Sequence, residues 1–536
     1  MSIGRISRAH LIGATLLLVG LLEAGCSSGS SSTTSSSPAP AAPGSSGAVA
    51  ATGGGSNGGE LTVAIPNISP PFNASTQSNS ALRITSNIFD PLIFKDPSTG
   101  TLSPGLATAW KQAGPTVWDI TVRQGVKFSD GTPMTADDVA FTLSSQRLWG
   151  PKALEPSTLA STFTDVKATG ATTVQITTKE TDLALLDRLA SPIGFVVPKA
   201  YVLKVGIDKF GVAPVGTGPY MVKGLTPGDH VTLVPNANYW GPKPTYSQVT
   251  FREVPEVAAR VSGLATGEYQ IAATIPPDQQ QPIKSNGQQI ASVQVDNVVE
   301  LAFMTNQKGA PTANPLVRQA MELAIDRKSI NNSLWAGLVD VPEGFNLPLY
   351  KDFYDKNLPV VGQDQSKAKV LLAQAGYSGQ TIDLQYISNY YANFDQAVEA
   401  MLPMWKAVGL NVKLDPVADY TLLDYKKLNI YATSSNVLLS DPISPLWTDW
   451  ISPSAHYVKS GHYAPSAQMS AAGQTLAASA DAAARKQAFR TIATLWTAEV
   501  PSISLWQPVE IDGVAKGINF TPDPRYWMRF APVPTN

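Results

Sequence analysis

The composition of the chain changes sharply at residue 60, and this change confines compact folding to the part that follows. Residues 27–59 are almost wholly Ser, Thr, Gly, Ala and Pro, with no aromatic and no charged side chain. Such a segment cannot bury enough apolar surface to offset the entropy of ordering, so we expect a flexible tether with an end-to-end distance of roughly 30 Å. Residues 60–536 carry sparse charges and many Trp and Tyr side chains, and they are too long for one core. Two or more domains are therefore expected.

The first 25 residues have the pattern of a secretory signal peptide. Arg5, Arg8 and His10 precede an apolar run at residues 11–22. This run fits the roughly 7–15 residues of a signal core and is shorter than the roughly 20 needed to span a bilayer. Cys26, the only cysteine of the chain, follows a small-residue pair. This arrangement resembles the lipobox of bacterial lipoproteins, although Glu23 stands where those proteins usually carry Leu, and it implies a lipid on Cys26. Cleavage without lipidation is the alternative.

Charge and motif content argue against several classes of function. The chain has 39 basic and 41 acidic side chains, a balance that argues against a nucleic-acid groove, because such a groove needs a concentrated basic face. A zincin HExxH motif is absent, and His456 and His462 lack the partner cysteines or carboxylates of a metal site. We therefore expect no enzyme, no metal site and no cofactor, with a hydrolase as the least favoured alternative.

Strand and helix patterns alternate along residues 60–536. Runs rich in Val, Ile and Thr predict strands at residues 61–65, 118–123, 173–178, 231–234 and 249–254. Capping residues predict helices that begin after Thr135, at Asn314-Pro315 and at Asp481, and a further helix is expected at residues 366–375. Gly131 and Gly218 suit turns with positive φ. Interleaved elements of this kind indicate mixed α/β lobes.

Several ordered motifs resemble the dipeptide- and oligopeptide-binding lipoproteins of ABC importers, the family 5 extracellular solute-binding proteins. They are NIFDPLIF (87–94), LSPGLATAW (102–110), RQGVKFSDGTPMTADDV (123–139), VGTGPY (215–220), NYWG (238–241), VRQA (317–320), AIDR (324–327) and AKVLLAQAG (368–376). Each motif alone is a weak signal, but their order along the chain is specific.

The resemblance implies an α/β, two-lobed periplasmic-binding-protein-like fold of the cluster C type, with a ligand cleft at the hinge. Residues 1–25 are the signal peptide, and residues 26–59 are the lipidated cysteine and tether. Residues 60–305 form the first lobe, with an inserted subdomain. Residues 306–499 form the second lobe, and residues 500–536 return to the first. The chain is then expected to cross between lobes near residues 304–308 and 499–502, and the lobes to close on the ligand.

The resemblance also points to Asp441 as a ligand-binding residue. The segment SDPISPLW (440–447) matches the family region that carries an aspartate for the ammonium group of a peptide. A carboxylate that meets an ammonium in a shielded cleft makes a strong hydrogen bond. In another register Asp441-Pro442 aligns with a later Asp-Pro pair. Asp441 is also a common turn former before proline, and the sequence leaves these alternatives open.

Aromatic residues near this segment complete the expected site. Tyr390, Tyr391, Trp447 and Trp450 suit the side chains of a peptide, although packing in the core is the competing interpretation. The loop at 387–394, from which dipeptide binders offer an arginine, has none here, so an oligopeptide is favoured over a dipeptide. An oligosaccharide or metal-chelate receptor on the same fold is the alternative. The implied protein is a monomer outside the cytoplasm, attached by lipid to the cell membrane and paired with ABC permease subunits.

Overall fold

The structure is a computed structural model that describes residues 58–73, 78–144, 162–342, 344–358, 360–388, 390–437, 441–452 and 455–534. The signal peptide, Cys26, most of the tether and Ser440 lie outside the described residues. All described residues belong to one compact unit, Thr52–Asn536.

Strands and helices are interleaved, as the sequence predicts. The strands are β1 (Glu60–Ile65), β2 (Ile93–Lys95), β3 (Leu102–Pro104), β4 (Ala107–Gly114), β5 (Val117–Val122), β6 (Phe163–Gly170), β7 (Thr173–Thr178), β8 (Tyr220–Thr226), β9 (His230–Pro235), β10 (Gln248–Glu253), β11 (Ile271–Ala272), β12 (Gln289–Gln294), β13 (Asn297–Phe303), β14 (Thr381–Ile387), β15 (Asn411–Val417), β16 (Ile430–Asn436), β17 (Ser502–Trp506) and β18 (Val509–Val514). The helices are α1 (Asn79–Ile88), α2 (Ala136–Ser144), α3 (Leu185–Leu189), α4 (Lys199–Val205), α5 (Ile207–Val212), α6 (Val257–Thr266), α7 (Gln280–Ser285), α8 (Pro315–Ala324), α9 (Arg327–Trp335), α10 (Gln365–Gln374), α11 (Phe394–Val408), α12 (Ile443–Pro445), α13 (His456–Lys459), α14 (Ala467–Ala478) and α15 (Ala482–Glu499).

Helix starts follow the capping residues of the sequence. Thr135 and Asp138 form a reciprocal pair at the start of α2, because Thr135 N–H donates to Asp138 Oδ2 at 2.8 Å and Asp138 N–H donates to Thr135 Oγ1 at 3.4 Å. Asn314 caps α8 through Leu316 N–H, and Asp481 caps α15 in the same way. These predicted helix starts, and the strands predicted from the sequence, are confirmed.

The largest sheet has seven strands in the order β12-β18-β11-β1-β10-β9-β8. Strand β1 is parallel to β10 and β11, and the other pairs are antiparallel. Because β18 lies between β12 and β11, residues near the C-terminus complete a sheet that begins at residue 60. A separate antiparallel sheet, β4-β5-β7-β6, lies in sequence between β1 and β8, where we propose the inserted subdomain of the first lobe.

A second mixed sheet has five strands in the order β15-β14-β16-β13-β17. Alternate residues of β13 enter different cores, as the two-residue period of a strand requires. Val299, Leu301 and Phe303 pack with α8, α10 and α11, whereas Val298 and Ala302 pack with α14 and α15. The five-stranded sheet is therefore covered on both faces.

Strand order suggests where the chain passes between the two large sheets. Strand β12 belongs to the seven-stranded sheet and β13 to the five-stranded sheet, while β17 and β18 have the reverse order. We therefore propose crossings at residues 295–296 and 507–508, a few residues outside the crossings expected at 304–308 and 499–502.

Two of the motifs require glycine, and the structural reason differs between them. Gly131 has φ 88°, so its predicted turn is confirmed. Gly218 does not have positive φ, and that prediction is wrong. A Cβ on Gly218 would lie 2.5 Å from the carbonyl carbon of Ile88, and one on Gly216 would lie 2.2 Å from the Ile88 oxygen. The VGTGPY segment thus needs glycine because it passes directly against the NIFDPLIF segment.

Candidate functional site

A cleft opens where the chain crosses from the seven-stranded to the five-stranded sheet. Its volume is about 80 Å³. One side is formed by Asn79 and Leu82 of α1, by the β2 end and the region after α3, and by the C-terminal segment 524–527. The other side is formed by Asn297 at the start of β13, by Leu349, and by Val437 after β16. Segments that belong with both large sheets therefore contact the same space.

Two ion pairs hold the charged side chains on the first side. Lys95 Nζ donates to Asp187 Oδ1 at 2.6 Å. Arg525 makes a two-point contact with Asp523, at 2.8 Å from Nε and 2.6 Å from Nη2, and its guanidinium lies 4.1 Å from the centre of the Trp527 ring. These contacts fix a planar cation and an aromatic face in the cleft.

Asp296 supplies a carboxylate at the crossing itself. Its backbone N–H donates to the Pro524 carbonyl at 3.0 Å, and its carbonyl accepts from Val437 N–H at 2.9 Å. Within the described part of the chain, its carboxylate has no hydrogen-bond or ion-pair partner. Burial raises the pKa of Asp296 to about 7, against the opposing effect of the nearby Arg525.

Two further polar atoms, on residues that line the cleft, lack a partner among the described residues. The Oδ1 atom of Asn297 and the indole Nε1 of Trp527 are both buried without a hydrogen bond. Buried polar groups are normally satisfied, so unpaired ones in a cleft indicate contacts that a ligand completes. The cleft thus has a carboxylate at Asp296, and two residues that line it, Asn297 and Trp527, carry a buried unpaired acceptor and a buried unpaired donor.

The structure places Asp441 in an intramolecular ion pair. Arg485 Nη2 donates to Asp441 Oδ2 at 2.6 Å, and the two side chains are 12% and 13% exposed. Asp441 Oδ1 also accepts the backbone N–H of Ile443 at 3.0 Å, a local turn contact. Arg485 in turn lies 4.9 Å from the ring of Phe353. The role of Asp441 toward a ligand stays a prediction, and the turn geometry that the sequence offered as its alternative is present.

The four aromatic residues lie in two different places. Trp450 is 1% exposed and packs against Tyr457 and Trp496 in one core of the second sheet, and Trp447 borders the same core. Tyr391 borders the core on the opposite face, where it contacts Tyr390 edge to face at 4.8 Å. Tyr390 is 55% exposed. The structure does not bring the two tryptophans and the two tyrosines to one site, and neither they nor Asp441 line the cleft at the crossing.

Sequence reasoning missed the charged residues of this cleft for identifiable reasons. Arg525 lies far in sequence from the loop at 387–394, where the resemblance places the arginine of dipeptide binders. Asp296 directly precedes the apolar strand β13 and Asn297 begins it, and in the sequence both look like ordinary turn residues. Their place in the cleft depends on the pairing of β18 with β12, a long-range contact that local patterns do not reveal.

The described residues also bear on metal binding and on a membrane span. They contain no group of three or more His, Cys, Asp or Glu side chains placed to hold a metal ion. Burial and the neighbouring His456 lower the pKa of His462 to about 4. No helix among the described residues has the length and apolar character needed to cross a membrane.

Comparisons with known proteins agree with this architecture. The model of the bacterial extracellular solute-binding proteins, family 5 (middle region) matches residues 101–456. The nickel-binding periplasmic protein of Escherichia coli (strain K12) is 29% identical over 334 residues, which cover 60% of this chain and 61% of that protein. The periplasmic murein peptide-binding protein MppA of the same organism is 28% identical over 387 residues, 64% of this chain and 68% of that protein. The chain thus spans 61% and 68% of the lengths of these two relatives.

A solved structure shows the same fold over most of the chain. It is the ABC transporter-associated periplasmic binding protein DppA from Helicobacter pylori in complex with the peptide STSA. The TM-score is 0.77 at 21% identity, and the match covers 89% of this chain and 99% of that one. The two-lobed α/β fold implied by the sequence motifs is confirmed. Because the family model spans more than half of the sequence, the chain belongs to the bacterial extracellular solute-binding proteins of family 5.

Proposed function

We propose that this protein is the solute-binding component of an ABC importer and captures a peptide in the cleft at the crossing. The observation that carries the proposal is the cleft itself, which is lined by segments that belong with both large sheets. A ligand held there contacts both lobes, so binding favours their closed arrangement.

The chemistry of the cleft supports a zwitterionic solute. Acceptors at Asp296 and Asn297 suit an ammonium group, while Arg525, Lys95 and the indole of Trp527 suit carbonyl and carboxylate oxygens. MppA and the Helicobacter pylori protein are described as binding peptides. The loop at 387–394 lacks the arginine of dipeptide binders, which favours a longer peptide. Arg525 is already paired with Asp523 and Lys95 with Asp187, so either cation can bind a ligand carboxylate only when its own pair opens.

A metal chelate is the second candidate solute, since one relative is described as a nickel-binding protein. A chelate that brings its own ligands to the metal needs only a polar cleft, not a cluster of protein side chains. An oligosaccharide remains a further alternative on the same fold.

Location and anchoring belong to the same proposal. The signal-like residues 1–25, Cys26 and the tether suit export and attachment of a lipid to the thiol. The protein would then act as a monomer on the outer side of the cell membrane, beside its permease subunits.

A retention experiment tests the function. The protein is incubated with a synthetic tetrapeptide pool, separated from free peptide by gel filtration and denatured, and the released molecules are identified by mass spectrometry. Wild type is expected to retain intact peptides. Asn79→Trp, at an exposed position that lines the cleft, is expected to reduce retention because the indole fills the cleft.

The matched control is Leu203→Trp, which places the same side chain on α4 at a 67% exposed position. It should retain peptides as wild type does. Absence of retained peptide from wild type, or equal retention by Asn79→Trp, contradicts the proposed peptide function in this cleft. Release of cleaved peptides would indicate a hydrolase.

A further inference from the structure

Asp296 is held in place by both lobes through its backbone. Its N–H contacts the C-terminal segment at Pro524, and its carbonyl contacts Val437 at the end of β16. These two bonds keep the side chain at the crossing, on the wall of the cleft, rather than in solvent. A change in the lobe arrangement therefore changes the surroundings of this carboxylate directly.

The neighbouring cations are occupied by other partners. Lys95 pairs with Asp187 at 2.6 Å, and Arg525 pairs with Asp523 at 2.6 Å. Lys351 acts on Asp296 only through its charge, and its Nζ donates to the Ser98 carbonyl at 3.2 Å. Each nearby cation thus has a partner of its own.

Asp296 and Asn297 are adjacent acceptors without donors in the described structure. The Asn297 Oδ1 atom is buried and unpaired, and the Asp296 carboxylate has no partner among the described residues. A protonated amine carries three N–H donors, which is the group that adjacent oxygen acceptors can satisfy. A charge-assisted bond in a shielded cleft is stronger than a neutral one.

We propose that Asp296, assisted by Asn297, receives the protonated amine of the solute at the crossing, and that binding there releases a proton. This inference rests on the proposed function and names the chemical class of its ligand, a small solute with a cationic amine. It differs from the sequence prediction, which places the amine at Asp441.

Proton release follows from the state of Asp296 without a ligand. Burial, and to a lesser extent the charge of Asp523, raise the pKa of this carboxyl, while Arg525, Lys95 and Lys351 lower it, with a result of about 7. At pH 6 the group is therefore mostly protonated. An ammonium beside it favours the charged form, so the carboxyl gives up its proton to solvent when the amine binds. The amine of a peptide, with an ordinary pKa near 7.7–8.0, remains protonated at that pH.

The test is calorimetric titration at pH 6 with Ala-Ala-Ala-Ala and its N-acetylated form, in two buffers that differ in ionisation enthalpy. For wild type we expect the release of close to one proton per free-amine peptide. Asp296→Asn is expected to abolish this proton release and to lower the affinity for the free-amine peptide by about tenfold or more. The acetylated peptide should bind wild type and variant alike. Asp278→Asn, an exposed carboxylate outside the cleft, is the matched control.

The outcomes separate the inference from the function. If the free-amine peptide binds wild type, and Asp296→Asn keeps both affinity and proton release, the inference is overturned while the proposed function stands. If Asp441→Asn, and not Asp296→Asn, selectively weakens binding of the free-amine peptide, the amine binds at Asp441. That result also overturns the inference. If neither peptide binds wild type, the peptide function and the inference fail together. Asp296→Ala carries the same expectation and is used if Asp296→Asn does not fold by circular dichroism.

Discussion

Trp240 donates its indole N–H to the carboxylate of Asp90 at 2.8 Å, across 150 positions of sequence. Arg529 Nη1 donates to the other oxygen of Asp90 at 2.8 Å, and Arg529 Nη2 donates to the Tyr239 hydroxyl at 2.7 Å. Asp90 is completely buried. The NIFDPLIF motif, the NYWG motif and Arg529 near the C-terminus therefore meet at the carboxylate of Asp90. This network gives the polar side chains of the two motifs a structural role.

The first prediction concerns this buried network. Asp90→Asn removes the charge that compensates the buried guanidinium of Arg529. Breaking a buried pair from one side typically costs about 3–5 kcal/mol, so we expect the free energy of unfolding in urea to fall by about that amount. The exposed control Asp278→Asn should stay within about 0.5 kcal/mol of wild type. A loss below about 1 kcal/mol for Asp90→Asn would show that the network is not a stabilising element.

The second prediction concerns Asp441. The sequence predicts that Asp441→Asn weakens the binding of a free-amine peptide by about 1.5–3 kcal/mol. It also predicts that the melting temperature without ligand barely moves. The pair with Arg485 changes the expectation for melting, because both side chains are largely shielded and Asp441→Asn removes one charge of the pair. In a double-mutant cycle with Arg485→Gln we expect a coupling of roughly 0.5–3 kcal/mol in the free energy of unfolding. Purely additive losses would mean that the pair contributes nothing to stability.

The third prediction concerns pH and Glu300. This carboxyl is 2% exposed and accepts hydrogen bonds from the hydroxyls of Ser435 and Ser502. Burial raises its pKa from 4.5 to about 7. The folded state therefore binds this proton more tightly than the unfolded state, so the free energy of unfolding falls as the pH rises from about 4.5 to about 7.

Glu300→Gln keeps the shape and the hydrogen-bonding capacity but removes the ionisation. We expect the variant to lose this part of the pH dependence and to be more stable than wild type above pH 7. Urea unfolding at several pH values measures both effects. Parallel stability profiles for the two proteins would contradict a buried, titrating Glu300.

Much of the fold was predictable because its signals are local. Thr135 with Asp138, Asn314 and Asp481 mark helix starts through short-range hydrogen bonds, and β-branched runs mark strands. The cleft was less predictable. It depends on β18 returning to β12, about which neither segment carries a local signal. Trp450 shows the converse problem, since an aromatic residue near a motif suits both a ligand surface and the core, and burial is decided by distant residues such as Trp496.

The fourth prediction concerns anchoring. Cys26 is the only thiol of the chain and follows a signal-like apolar run. We expect Cys26→Ser to shift the protein from the membrane fraction to the soluble fraction or the medium, because the hydroxyl cannot take the place of the lipidated thiol. Fractionation followed by immunoblotting measures the shift. A variant that stays membrane-bound to the wild-type extent contradicts lipidation at Cys26.

The central claim is that the protein encloses a solute between two lobes, and small-angle X-ray scattering tests it most directly. The radius of gyration is measured without ligand and with saturating Ala-Ala-Ala-Ala, after calorimetry has established binding in the same buffer. Because the cleft is lined from both large sheets, closure on the peptide should bring the lobes together, and the account predicts a smaller radius in the bound state. An unchanged radius at full occupancy would contradict enclosure by lobe closure.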